Sequence, residues 1–288
     1  MGSRSSVADV EIRPGGKEDV EAAYGVLVVC DLGRWFDLTL EQFRAWWPTY
    51  RGTWVAEKGT VVGYAAARSD EVEVYVVPEA RRRGIGTRLL ANAEAAAEEH
   101  RVTATARREE AAAAPFLERH GYRFGSETWL MQTDLDRELP EPVWPEGISV
   151  RSFRVEDARA VKELLDVSYA KEPDFREEPF EVWSRFMLDD TSFEAESWFV
   201  ADAADGSLAG AALNWKEGFV KDLVVHPAHR ERGLGAALML HTFHHFKAGG
   251  APTVTLKTDS INTSQAWRLY ERLGMRTMRT YDDFEKCR

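Results

Sequence analysis

The residues whose types and spacing carry chemistry lie in the stretch 223–238, LVVHPAHRERGLGAAL. Leu223, Val224 and Val225 form an apolar run that reads as a strand, Pro227 closes it, and Arg230-x-x-Gly233-x-Gly235 follows where a helix would begin. The first backbone N–H groups of a helix have no partner within it, and the helix dipole adds positive character, so such a turn suits an anion, above all a diphosphate. The turn itself is Arg230, Glu231, Arg232, Gly233, Leu234, Gly235 and Ala236, and the strand before it offers its main chain. A dinucleotide fingerprint would place a third glycine three residues on, and position 238 is Leu238, which disfavours a hydride-carrying cofactor. A glycine-rich connection that binds nothing is the plain alternative.

The same pattern occurs twice. Val76 precedes Arg81, Arg82, Arg83, Gly84, Ile85, Gly86 and Thr87, and Arg81 stands 149 residues before Arg230, about half the chain. A repeat of that period indicates a duplicated domain rather than a solenoid. An apolar strand ending in Val-x-Pro and followed by Arg-x-x-Gly-x-Gly resembles motif A of the GNAT superfamily of acyl-CoA-dependent acyltransferases, and both halves carry it.

The resemblance implies two tandem GNAT folds of mixed α/β class, each a central mixed β-sheet flanked by helices. It implies a turn that binds the coenzyme A pyrophosphate, and a strand whose bulge opens a gap where the pantetheine arm pairs with the main chain of Leu223 and Val225. In the last helix, Asn262, Tyr270 and Gly274 match the family pattern of an Asn after the fifth strand and a Tyr four residues before Gly. Tyr270 is then the general acid that protonates the departing thiolate; a core tyrosine is the alternative. The family's base is commonly an acidic side chain before the turn, for which Glu217 and Asp222 are candidates. Their odd separation puts them on opposite faces of an ideal strand, and Glu217 is preferred. In the first half the tyrosine position is Leu117, which cannot donate a proton. The expectation is an N-acetyltransferase that moves acetyl from acetyl-CoA to a small-molecule primary amine, with a catalytic C-terminal domain and a degenerate N-terminal one. A non-catalytic acyl-CoA-binding module and a protein N-terminal or lysine acetyltransferase are the alternatives.

The elements that must position these groups follow from periodicity. Strands are expected at 10–13, 53–57, 61–67 and 71–77, and again at 148–152, 198–201, 208–215, 218–225 and 253–258; helices are expected at 18–30, 39–47, 155–170 and 262–273. Pro140, Pro142, Pro145 and Gly147 suggest a linker, giving domains at 8–138 and 148–288 with 139–147 between them. A Trp35-Phe36 pair precedes the second helix, and by family layout Trp46 and Trp47 either line the acceptor pocket or fill the space between helix and sheet. Residues 171–196 alternate acidic residues, among them Glu172 and Asp174, with aromatics, and by family layout roof the acceptor site.

Composition narrows the partners. The chain has 288 residues, with Lys plus Arg at 37 against Asp plus Glu at 48, a net charge of −11. That balance argues against general nucleic-acid binding. No apolar run is long enough for a membrane span and no secretory signal opens the chain, so a cytoplasmic protein is expected. Gly2 and Ser6 fit a myristoylation pattern, with a disordered start the simpler reading. Cys30 and Cys287 have neither metal nor redox spacing, and His241, His244 and His245, at helical spacing, lack a completing ligand, so no metal is expected. The duplication suits a monomer acting as a pseudo-dimer or a homodimer.

Overall fold

A computed structural model describes residues 10–30, 39–172 and 175–288. Gly2, Ser6, Trp35, Phe36 and Asp174 lie outside the described residues. In chain order the elements are β1 (Glu11–Pro14), α1 (Val20–Val29), α2 (Leu40–Trp46), β2 (Gly52–Glu57), β3 (Val61–Ala67), β4 (Val72–Val76), α3 (Ile85–Ala96), β5 (Arg101–Arg107), α4 (Ala113–Arg119) and β6 (Arg123–Asp134). The second half supplies β7 (Ile148–Ser152), α5 (Ala158–Tyr169), α6 (Phe180–Leu188), β8 (Phe199–Ala203), β9 (Leu208–Trp215), β10 (Phe219–Val225), α7 (Leu234–Ala248), β11 (Thr253–Asp259), α8 (Ala266–Arg272) and β12 (Arg276–Cys287).

Two compact units result, Met1–Ser126 with Tyr281–Arg288, and Glu127–Thr280. In the first, β1 to β4 form an antiparallel meander whose inner strands are buried on both faces. Alternation sends Val55, Tyr64 and Ala66 to the face covered by α1 and α2, and Ala56, Ala65 and Ala67 to the face covered by α3. Trp47 packs edge-on to Phe43 at 5.4 Å and is 5% exposed, so it fills the space between helix and sheet. The second unit has a mixed sheet in which β7, β8, β9 and β10 are antiparallel neighbours and β10 runs parallel to β11.

The domain boundaries differ from those expected. Residues 281–287 of β12 pair with β5, and residues 128–134 of β6 pair with β11, so each copy's sheet takes a strand from the other half of the sequence. Segment 139–147 is not a free linker either: Leu139 is buried in the second core, and the Pro140 carbonyl lies 3.0 Å from His244 Nε2. Strands at sheet edges are assigned by pairing partner, and an alternating pattern carries no information about which edge it joins.

Both units open with the same ion-pair knot. Arg13 donates to Asp19 at 2.7 and 2.8 Å and to Glu57 at 3.1 Å, while Arg151 donates to Asp157 at 2.6 and 2.9 Å and to Asp202 at 2.8 Å. Each knot ties the first strand to the first helical turn and to the neighbouring strand. The arginines hold the Asp19 and Asp157 carboxyls below the usual carboxylate range. A carboxyl depressed in the folded state contributes stability above its unfolded value of about 3.9, and that contribution is lost as pH falls through the folded value. The urea midpoint is therefore expected to fall on acidification below about pH 4, and Asp157→Asn to flatten part of that fall. An unchanged slope in the variant would contradict this.

Candidate active site

The parting of two strands makes the site. β10 and β11 pair in parallel only at Phe219↔Thr255 and Val220↔Leu256. Immediately beyond, the β10–β9 register slips between Val220 and Asp222, leaving Lys221 as the extra residue of a bulge. A bulge bends its strand and sharpens the twist, which carries β10 away from β11. The main chain of Leu223, Val224 and Val225 stays paired with β9 on one side and borders a cavity of about 960 Å³ on the other.

The turn at the head of this cavity is built by its own side chains. Glu231 has φ 61° and Gly233 φ 87°, both left-handed; the glycine takes this conformation freely, and Glu231 takes it at a cost of about 1–2 kcal/mol. Arg82 and Gly84 repeat the pair at φ 61° and 75°, so the duplication has kept the strained turn. Leu234, Gly235 and Ala236 precede the first intrahelical bond of α7, from Ala237 N–H to Gly233 O at 3.0 Å, so their amides are available to an anion. Gly235 also lets α8 approach, since a Cβ there would lie 3.3 Å from Leu269 Cδ2. Arg230 bends back along the chain, donating to Val225 O at 3.1 Å and Ser168 O at 2.8 Å. It fixes the turn against the end of α5.

Three polar groups from three elements meet at the strand gap. Tyr270, 6% exposed on α8, and Tyr169, the last residue of α5, both line the cavity. Tyr169 donates its hydroxyl to Asp222 Oδ1 at 3.1 Å, and Lys221 Nζ stands 3.5 Å from Asp222 Oδ2. Burial and the nearby Asp222 charge push both phenols well above their ordinary value, which keeps them protonated at neutral pH. The helix bearing Tyr270 is fixed behind by Arg137, which donates to Leu273 O at 2.6 Å over Gly274.

The structure does not bring every candidate to this point. Glu217 lies outside the strand, exposed in the turn closed by Gly218 N–H to Trp215 O, and accepts from Ser192 Oγ at 3.1 Å. The alternation argument that set it on the face opposite Asp222 does not apply, because β10 starts only at Phe219. Asp222 is the acidic side chain beside Tyr270. Arg232 points to Glu146 O at 3.3 Å and His229 Nδ1 at 3.4 Å. Asn262 borders the cavity but precedes α8, and its Oδ1 accepts the Ser264 N–H at 2.9 Å in a local turn. Glu172 accepts from Thr263 N–H and Oγ at 2.9 and 2.8 Å, while Trp183 and Met187 of α6 face inward and Glu177, Glu178 and Glu181 are exposed. Tyr169 escaped the sequence reading because nothing in its spacing marks it.

The histidine triplet is spread over separate contacts. His241 lies against Phe199 at 4.5 Å, where burial lowers its pKa, His244 reaches Pro140 O, and His245 faces Ser197 Oγ at 3.4 Å. Among the described residues no cluster of His, Cys, Asp or Glu could hold a metal, and no helix is long and apolar enough to cross a membrane.

The corresponding groove of the first unit departs in three ways. β4 pairs with β3 without a register break from Val72 to Val76, so the bulge is missing. Arg81 donates to Val76 O at 2.9 Å, as Arg230 does to Val225, and also pairs with Glu110 at 2.9 Å beside Gly84 and Gly86. Val76, Ile85 and Thr87 also border this cavity of about 410 Å³, with Leu117, on α4, where the second unit has Tyr270. Gly86 admits Phe116 at 3.4 Å as Gly235 admits Leu269.

Residues 49–124 match the family described as Acetyltransferase (GNAT) domain, and residues 159–275 the Acetyltransferase (GNAT) family. Among similar proteins, the mycothiol acetyltransferase of Rhodococcus erythropolis is 33% identical over 244 residues, covering 75% of this chain and 77% of the relative. That of Nocardioides sp. is 28% identical over 242 residues, covering 74% and 78%. A GCN5-related N-acetyltransferase from Sphaerobacter thermophilus superposes with TM-score 0.80 at 26% identity over 97% of this chain and 96% of its own. A tandem GNAT protein from the clavulanic acid biosynthesis pathway shares the fold at TM-score 0.73 and 20% identity, over 96% and 98%.

Proposed function

Because the chain belongs to the GNAT family of acetyltransferases and carries two of its domains in tandem, we propose that it transfers acetyl from acetyl-CoA to a primary amine of a small molecule, with the chemistry in the C-terminal domain. The observation that carries this reading is the strand gap of β10 and β11, which runs from the Arg230–Ala236 turn to Tyr270 and to Tyr169, whose hydroxyl is bonded to Asp222. The relatives' name, mycothiol acetyltransferase, favours a small-molecule acceptor.

The residues fit the co-substrate by their chemistry. Amides of Leu234, Gly235 and Ala236 suit the diphosphate, and the free edge of β10 suits the amide-bearing arm, in the manner of an added strand. Acetyl-CoA supplies an activated thioester. Asp222 takes up the first proton the acceptor ammonium must lose; the amine then bonds to the carbonyl carbon, the carbon–sulfur bond breaks, Tyr270 gives its proton to the departing sulfur, and the second proton on the attacking nitrogen returns to the Tyr270 oxygen, leaving a neutral amide, a thiol and an unchanged phenol. Both phenols being held protonated, the acid is in the right state at neutral pH. The N-terminal domain, with Leu117 for the acid, an unbroken β4 and Glu110 on Arg81, supports rather than catalyses.

Thiol release from acetyl-CoA, followed across small amines, amino sugars and peptides, tests the reading. A small amine that speeds release is the expected result; acceleration by peptides alone would move the acceptor to protein.

A further inference from the structure

Asp222 needs a route to the acceptor. Both phenols border the cavity, whereas the Asp222 side chain is 14% exposed and its Oδ1 is occupied by the Tyr169 hydroxyl at 3.1 Å. An acceptor ammonium in the cavity therefore meets the Tyr169 oxygen on the way to that carboxylate oxygen. The end of α5 is held for this purpose from two sides. Arg230 donates to Ser168 O at 2.8 Å, Ser168 Oγ donates to Val225 O at 3.5 Å, and Glu172 is bound to Thr263 across the cavity from β10. The hydroxyl of Tyr169 is thus fixed relative to β10, not carried on a free side chain.

We propose that Tyr169 is a catalytic proton relay between the acceptor amine and Asp222. The step rests on the acetyl-transfer reading above and balances without a further reactant. The ammonium's N–H bond breaks and its proton bonds to the Tyr169 oxygen. The O–H proton of Tyr169 passes to Asp222 Oδ1 in the same event. The products are a neutral amine, a protonated Asp222 and an unchanged phenol. Tyr270 is left for the other proton, the one the sulfur takes. The charged and titratable groups facing Tyr169 are Asp222 and Lys221 from β10, Tyr270 from α8, and Glu172 from the segment after α5. Of these, Asp222 is the group bonded to the hydroxyl.

Tyr169→Phe removes the hydroxyl and keeps the ring. Turnover is expected to fall by about 10²-fold, within the range for losing acid–base help, with acetyl-CoA affinity within about twofold of the parent. The penalty should nearly vanish in an Asp222→Asn background, because two members of one relay are lost only once. It should also shrink as the assay pH is raised through the acceptor's own ammonium pKa, since a free amine needs no relay; a merely structural loss would persist at every pH. Tyr169→His, which keeps a ring nitrogen able to carry a proton, should restore part of the turnover and serves if the Phe variant is poorly folded. A parent that transfers acetyl and a Tyr169→Phe variant that matches it would overturn the relay and leave the acetyl-transfer reading standing. A penalty equal in both backgrounds, or unchanged with pH, would also overturn it. A parent that transfers acetyl to no amine would instead remove the reading on which the relay rests.

Discussion

Replacing Tyr270 by phenylalanine is expected to lower turnover about 10²–10⁴-fold while leaving acetyl-CoA affinity within about twofold. The reasoning starts from position. Tyr270 sits on α8, pinned behind by Arg137 on Leu273 O, and faces the cavity where β10 and β11 part. Its ring belongs to the second unit's core cluster, with Met239, Leu240 and Phe243 among the members, and phenylalanine keeps that packing. What is lost is one proton held ready by burial and by the Asp222 charge. Without it the sulfur must leave as a bare thiolate, a penalty that appears in the transition state and not in binding. The matching variant in the first unit, Leu117→Ala, is expected to cost about 2–5 kcal/mol of stability with unchanged turnover per folded molecule. Steady-state kinetics beside calorimetry separates the two; equal turnover by Tyr270→Phe and the parent would remove the acid from the account.

Asp222→Asn is expected to cost about 10²-fold or more in turnover, and Glu217→Gln less than about twofold. The two side chains are five positions apart in the sequence and have the same chemistry, yet the structure separates them. Asp222 follows the bulge at Lys221 and accepts from Tyr169, while Glu217 stands exposed in the preceding turn with Ser192 as its partner. Asp222 is linked to the cavity through the Tyr169 hydroxyl, whereas Glu217 is bonded to Ser192 and has no such link, so it cannot collect the acceptor's proton. A larger loss from Glu217→Gln than from Asp222→Asn would reverse the assignment.

Much of the fold was readable because local chemistry specifies it. The duplicated Arg-x-x-Gly-x-Gly turns and the strand and helix segments follow from spacing, the mixed sheets flanked by helices from the family resemblance those turns carry, and the left-handed backbone of Gly84 and Gly233 is what glycine at those positions is for. The roles of individual side chains were less readable. Arg230 has the charge for a phosphate, yet its guanidinium holds Val225 O and Ser168 O, a partnership set by a helix end 62 positions away in the chain. Gly235 makes room for Leu269 as well as exposing its amide. The bulge at Lys221 is the pivot of the site, but nothing in VKDLVV distinguishes a bulged strand from a regular one. Tyr169 and Asp222 meet only because α5 ends over β10, and the exchanged segments 128–134 and 281–287 read alike until their partners are known. Contacts between distant segments were invisible for one reason: sequence spacing reports on a segment's own periodicity, not on its neighbour.

The most direct test of a single working groove is a calorimetric titration of acetyl-CoA into the parent chain and into Gly235→Glu and Gly86→Glu. At Gly235 a glutamate would crowd Leu269 and set a negative charge among the amides proposed for the diphosphate, so binding should weaken by about 10²-fold or more. At Gly86 the same change meets a turn whose arginine is already paired with Glu110, and the parent's affinity and one-to-one stoichiometry should persist. Binding that survives Gly235→Glu, or is abolished by Gly86→Glu alone, would contradict the account.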